Sequence, residues 1–264
     1  MYLCIEQKIL KMVITKKLGE QIGGKTLWYN ETESTNDLAH AAVASKEPNG
    51  TVFVADTQTK GRGQRSNTWE SEPYKNLTFS LILYPEFLKI DEQFLLSKAI
   101  SVAVVDFLNE CGLCAKIKWP NDIYIGDKKT TGILIENSII GNSLSAAIIG
   151  VGLNVNQKVF LSDAPNPTSI AIELGKELDR EKSLQRLLFL FEQRYNMLVK
   201  RDFEQLEKDY FANLYRNDGF YEYVSDGTKF KAKIIGISNI GELLLETESG
   251  EQRKFAFKEI GFII

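Results

Sequence analysis

The chain has 264 residues, 44% hydrophobic and 25% charged, an ordinary globular composition with room for one large domain and a small one. A net charge of −3 and a pI of about 5.5 give no basic footprint for nucleic acid. No apolar run reaches the roughly 18 residues of a membrane span. Residues 1–17 (MYLCIEQKILKMVITKK) are apolar only in pieces broken by charges and lack a signal-peptide core, so a cytoplasmic protein is expected, with Met12 an alternative start to Met1.

Taken in order, 26–32 (TLWYNET) reads as a short aromatic strand. Ser34 looks like a helix N-cap, with Asp37 completing a capping-box variant, and the alanine-rich helix 35–46 stops at Glu47-Pro-Asn-Gly50. A β-branched strand over 51–56 leads into the loop 56–69, DTQTKGRGQRSNTW. Gly61 and Gly63 allow close approach and positive φ. Arg62 and Arg65 can fork onto phosphate or carboxylate oxygens. Such a loop suits an anionic ligand joined to something flat and apolar; a solvated turn is the bland alternative.

The segment 76–84 (NLTFSLILY) is a strand buried on both faces, and 91–110 is a long helix apolar around much of its circumference, hence central. The chain has three cysteines, Cys4, Cys111 and Cys114. Cys111-Gly-Leu-Cys114 closes that helix instead of opening one, with Gly112 placed as a C′ glycine, so neither a zinc site nor a redox pair is expected. Strands 115–119, 122–126, 131–139 and 143–151 follow as hairpins, turning at Gly126-Asp127 and Gly141-Asn142. A polar loop over 153–168 is long enough to be functional. Helices are expected near 168–176, over 183–200 with Ser183 as cap, and on to about 214. From Gly219 the pattern becomes short alternating strands, 221–224, 229–235, 242–247 and 251–257, which suggest a small β-barrel of SH3-like type.

One motif is a decoy. Residues 19–26, GEQIGGKT, fit the P-loop pattern, but the motif cradles phosphate only where a helix follows, and LWYNETE is β-like.

Five other motifs stand in register: Glu33-Ser-Thr-Asn36; Gln58-Thr-Lys-Gly-Arg-Gly-Gln64 with Trp69; Lys118-Trp-Pro-Asn-Asp122; Lys129-Thr-Thr-Gly-Ile-Leu134; and Gly150-Val-Gly-Leu-Asn154. In order and spacing, from Trp28 to the end, the chain resembles the biotin protein ligases. The resemblance implies an α+β fold: a mixed sheet with helices like the class II aminoacyl-tRNA synthetase core over 1–216, and an SH3-like domain over 217–264. The stretch before Trp28 is too short for the N-terminal DNA-binding domain of repressor members, so the monofunctional kind is expected.

The activity implied is two-step: biotin and ATP give biotinyl-5′-AMP and pyrophosphate, then a lysine of a biotin carboxyl carrier protein, of acetyl-CoA carboxylase or a related carboxylase, takes the biotin. A carboxylate with a pKa of about 4–5 is already ionised at neutral pH, so activation needs cations facing two anions, not a general base. By resemblance, Arg62, Lys129 and Asp122 are the catalytic candidates. Ser34, Thr35, Asn36 and Gln58 would meet the ureido head, with Gly63, Gln64, Trp69 and Gly132 lining the rest of the vitamin. Arg62, Arg65, Lys118, Asn121, Asp122 and Asn154 would meet ATP, and Asp122 would help hold Mg²⁺. The loop 155–168 would close over adenine, with Phe160 a candidate for stacking. Lys116 shares a strand face with Lys118 but is expected to be solvated.

Gln64 departs from the pattern, since the family usually has arginine there and glycine at Ser66. A neutral amide cannot neutralise phosphate; Arg65 next door is a candidate to compensate. The competing readings are a lipoate- or octanoate-transferring enzyme of the same fold, a P-loop NTPase using Lys25, and a non-enzymatic binding module. Neither a nucleic-acid nor a membrane partner is expected; a homodimer through an edge strand is open.

Overall fold

The computed structural model describes residues 13–64, 67–162 and 166–264. The expectations for Cys4, Met1, Met12, Arg65 and Ser66 lie outside them.

Eight strands form one mixed sheet: β1 (Val13–Lys16), β2 (Thr26–Thr32), β3 (Val52–Gln58), β4 (Leu77–Leu83), β5 (Ala115–Lys118), β6 (Asp122–Ile125), β7 (Lys128–Ile140) and β8 (Ser143–Leu153). Their order is β1-β2-β3-β4-β8-β7-β6-β5. Only β2 and β3 run parallel, because the helix α1 (Thr35–Ala44) carries the chain across between them. Every other neighbour is joined antiparallel.

β4 is buried along its whole length, as an unbroken apolar strand should be. Leu77, Phe79, Leu81 and Leu83 enter the main core. Thr78, Ser80 and Ile82 alternate with them, and Ile82 packs beneath α1 with Ala39, Ala42, Phe53 and Ile148. On the main-core side, α2 (Phe94–Glu110) has 13 of its 17 residues buried. It is covered in turn by α4 (Arg180–Val199) and α5 (Phe203–Ala212), so it is buried around most of its circumference, with the buried Lys98 paired to Glu207. A short α3 (Ile170–Leu174) precedes α4.

A second, five-stranded antiparallel sheet follows: β9 (Tyr221–Ser225), β10 (Thr228–Ile237), β11 (Leu243–Thr247), β12 (Gln252–Phe255) and β13 (Gly261–Phe262), in the order β12-β11-β10-β9-β13. It is bolted to the first part at Trp119, whose Nε1 donates to the Gly241 carbonyl at 2.9 Å and whose ring meets Phe257 edge-on. Gly241 has φ +95, and a Cβ there would lie 2.5 Å from the Phe94 ring.

The local expectations are corrected at five places. Strand β1 was not expected; it is exposed on both faces and exists through pairing with β2. The Ser34 side chain makes no cap hydrogen bond, and Asp37 pairs with Arg62 instead of closing a capping box. Helix α1 ends at Ala44, with Lys46 already at φ 56. Asp179, not Ser183, caps α4, accepting from the Lys182 amide at 3.0 Å. β7 starts at Lys128 and β8 runs to Leu153, which puts Lys129 and Gly152 on strands. Thr26 opens β2 and not a helix, so the P-loop pattern has no phosphate cradle, and Lys25 pairs with Glu47. Gly112 takes φ +88 behind α2, and Cys111 and Cys114 are free thiols. No helix among the described residues is long and apolar enough to cross a membrane.

Candidate active site

Three glycines leave a bare strip on β7 and β8. A Cβ on Gly150 would lie 2.2 Å from Asn36 Oδ1, and Cβ atoms on Gly132 and Gly152 would lie 2.8 and 2.3 Å from the Trp69 ring. The strip is therefore a bed for two side chains, one delivered by α1 and one by the Gly/Arg loop. The missing side chain of Gly132 makes room for the Trp69 indole, and Gly132 also lines the cleft above the strip.

The Gly/Arg loop doubles back on itself. Trp69 N donates to Gly61 O at 3.0 Å, Gly63 N to Asn67 O at 2.7 Å, and Arg62 bridges to Thr68. Neither Gly61 nor Gly63 takes a positive φ. Gly61 is required by closeness alone, since its Cβ would lie 2.5 Å from Trp69 O.

Above the strip opens a cleft of about 800 Å³. It brings together Ser34, Thr35, Asn36, Gln58, Arg62, Gly63, Gln64, Trp69, Lys118, Asn121, Asp122, Lys129, Gly132 and Asn154, with Phe160. Arg65 lies outside the described residues. Lys116 does not line the cleft; its ammonium donates to Ala212 O at 3.0 Å.

A relay of buried polar groups runs along one wall. The Thr35 amide donates to Gln58 Oε1 at 2.7 Å, and the Thr35 and Ser80 hydroxyls lie 2.7 Å apart. Ser80 donates to Asn36 Oδ1 at 2.5 Å, and Asn36 Nδ2 donates to Glu136 Oε2 at 2.7 Å. Arg62 Nη2 reaches the same carboxylate oxygen at 2.6 Å, and His40 Nε2 stands 3.2 Å away. Burial works against the charge on Glu136. The Asn36 hydrogen bond, the Arg62 charge and His40 outweigh it, and its pKa falls below the usual carboxylate value.

The cations come in carboxylate pairs. Arg62 faces Glu136 and, at 3.1 Å, Asp37. Lys129 faces Asp122 at 2.8 Å and stands 5.7 Å above the Trp69 ring centroid. Lys118 sits between the rings of Tyr124 and Phe262, at 5.0 and 5.4 Å, and burial lowers its pKa. At the far end, Asn121 donates to Ile133 O. Asn154 donates to Thr168 O at 2.9 Å, while its Oδ1 is buried and has no partner among the described residues.

Sequence reasoning missed Ser80, Glu136, Glu70 and the C-terminal wall of Phe257, Lys258, Ile260, Gly261 and Phe262, all lining the cleft or touching its relay. Glu136 had a signal: Gly132, Leu134 and Glu136 share one face of β7 by the two-residue period. Ser80 had a weaker one, a hydroxyl that with Thr78 interrupts an otherwise apolar strand.

Residues 28–154 match the model of the biotin/lipoate A/B protein ligase family. The chain is 34% identical to the bifunctional ligase/repressor BirA of Bacillus subtilis over 246 residues, 90% of this chain and 74% of that protein. It is 30% identical to the biotin–[acetyl-CoA-carboxylase] ligase of Paracoccus denitrificans, over 84% of this chain and 94% of that one. The chain belongs to the biotin protein ligase family. The ligase from Aquifex aeolicus in complex with biotin and ATP superposes with a TM-score of 0.74 at 27% identity, covering 90% of this chain and 98% of that one. The α+β fold expected from the motifs is thus the family's fold, and this biotin protein ligase carries all five motifs on one cleft.

Proposed function

We infer that the chain is an ATP-dependent biotin protein ligase that makes biotinyl-5′-AMP with release of pyrophosphate, then passes biotin to a lysine of a carboxyl carrier protein. The observation that carries this reading is the cleft itself. An uncharged hydrogen-bonding wall, from Gln58 to Asn36, leads to two cations, Arg62 and Lys129, that face one volume.

In the first step a biotin carboxylate oxygen bonds to the α-phosphorus and the bond to the β-phosphate oxygen breaks. No proton moves, so the site has only to bring two anions together. Both cations hold carboxylates. An incoming carboxylate or phosphate replaces a partner of the same charge, so the cations stay solvated by anions throughout. We assign Arg62 and Lys129 to that role, Ser34, Thr35, Asn36 and Gln58 to the ureido head, and Gly63, Gln64 and Trp69 to the walls around it. Lys118, Asn121 and Asn154 face the nucleotide, and Arg65 is assigned there by sequence alone.

In the second step the carrier lysine attacks the acyl carbonyl, AMP leaves, and the amine sheds a proton. Asp122 is our candidate to receive it once Lys129 has turned to the ligand. The described residues hold no group of three metal-binding side chains. One carboxylate, Asp122, and the orphaned Asn154 Oδ1 fit an Mg²⁺ that arrives on the nucleotide and keeps most of its water. There it would screen the phosphate charge.

We also propose the division into a catalytic unit, 1–216, and a C-terminal unit, 217–264, supported by the separate sheets. A cytoplasmic location and a homodimer through the edge strand β1 complete the reading; the outer edge of β5 is already taken by residues 213–215. The test is pyrophosphate release from ATP with biotin, octanoate or lipoate added. Biotin alone should support it; equal release with lipoate would overturn the assignment in favour of the lipoate reading.

A further inference from the structure

The end of the Gly/Arg loop holds on to a second loop. Glu70, next to Trp69, accepts from the Leu161 amide at 2.8 Å through one carboxylate oxygen and from the Ser162 amide at 2.8 Å through the other. Gln157 Nε2 adds a contact at 3.2 Å. Gln157, 1% exposed, stitches the base of the same junction: its Oε1 accepts from Glu72 N at 3.0 Å and from Asn76 Nδ2 at 2.5 Å, and its Nε2 also donates to Val159 O at 2.8 Å.

Among the described residues, the other ties of 157–162 are longer: the Gln157 amide to Asn76 Oδ1 at 3.4 Å and Lys158 to Glu177 at 3.7 Å. Val159 and Leu161 are 64% and 87% exposed, so they supply no apolar anchor. A second hollow of about 660 Å³ runs along the loop, lined by Glu70, Gln157, Val159 and Leu161 among others. The Leu161 and Ser162 amides are held by the carboxylate and not by backbone partners. Phe160 and Ser162 nevertheless line the main cleft, as Glu70 and Trp69 do. Two successive N–H groups facing the two oxygens of one carboxylate make an arrangement that a neutral amide cannot copy, because one of its ends is a donor.

Resting on the ligase reading above, we propose that Glu70 is a positioning residue that fastens 157–162 to the Gly/Arg loop, so that the walls beside biotin and beside the nucleotide are set as one unit. Glu70 touches no reacting atom. It acts by fixing Phe160 and Ser162 where the nucleotide must bind. With 157–162 held in place beforehand, the ordering cost for ATP falls.

The variant is Glu70→Gln, nearly identical in shape. Three quantities are read on the full chain: amide exchange at Leu161 and Ser162, KM for ATP at saturating biotin, and biotin Kd without nucleotide. The proposal expects exchange at least about tenfold faster and KM for ATP raised about tenfold, as the loss of one hydrogen bond to a charged group implies. Biotin Kd and Tm should stay as in the parent. Unchanged exchange, or an unchanged KM for ATP, would overturn it. So would a fall in Tm that weakens both substrates alike, because that marks a general structural role. Should the parent chain release no biotin-dependent pyrophosphate, the ligase reading fails on its own, while the exchange measurement still decides whether Glu70 holds the loop.

Discussion

Arg62 faces two carboxylates at once, Glu136 at 2.6 Å and Asp37 at 3.1 Å. These carboxylates hold the guanidinium at the cleft wall, and Glu136 also aligns Asn36. The neighbouring Gln64 stands where the sequence resemblance leads one to expect an arginine. Its side chain lines the cleft but brings no charge. With one cation fewer facing the phosphate, the adenylate should escape faster than from a Gln64→Arg variant, by about fivefold to tenfold if an exposed charge-assisted contact is worth about 1 kcal/mol. Release of biotinyl-AMP, followed by trapping it in solution, checks this; equal rates would mean that Gln64 is neutral in retention.

Among the elements, the glycine strip of β7 and β8 decides where Asn36 and Trp69 rest. A Gly152→Ala change puts a methyl 2.3 Å from the indole on a rigid strand, so the ring must leave its bed. We expect about 1–3 kcal/mol of destabilisation from overpacking, read in denaturant, together with weaker biotin binding and altered tryptophan emission. Wild-type stability and affinity would mean that Trp69 is not held by this strip. The strip also shows what the sequence could tell. The glycines of Lys129-Thr-Thr-Gly-Ile-Leu134 and Gly150-Val-Gly-Leu-Asn154 could be marked as places of close approach, but not what approaches them. Buried strands, the central helix and the hairpins were legible because periodicity reports burial. β1 was not, because a four-residue strand with no buried side chain reports nothing. The Ser34 cap failed for a related reason: the motif fits a cap, yet the helix begins at a site where Gln58 takes the Thr35 amide.

For the molecule as a whole, the cleft is where the two sheets meet. The motifs predict one wall and leave out the other, since Phe257 and Phe262 share no local pattern with Trp119 or Lys118 and come beside them only through the docking of the C-terminal sheet. Glu70 and Gln157 escaped for the same reason, being partners 87 residues apart in sequence. What this assembly achieves is to set Arg62 and Lys129 around one volume while Lys25, in its P-loop-like motif, stays bound to Glu47 elsewhere. The central claim is that those two cations carry the union of two anions. The most direct measurement is single-turnover formation of biotinyl-AMP by Arg62→Ala, Lys129→Ala and Lys25→Ala. The account predicts losses of about 100-fold or more for the first two, the scale of a removed transition-state contact, and a parental rate for the third. Parental rates in Arg62→Ala and Lys129→Ala, or abolished activity in Lys25→Ala, would contradict it.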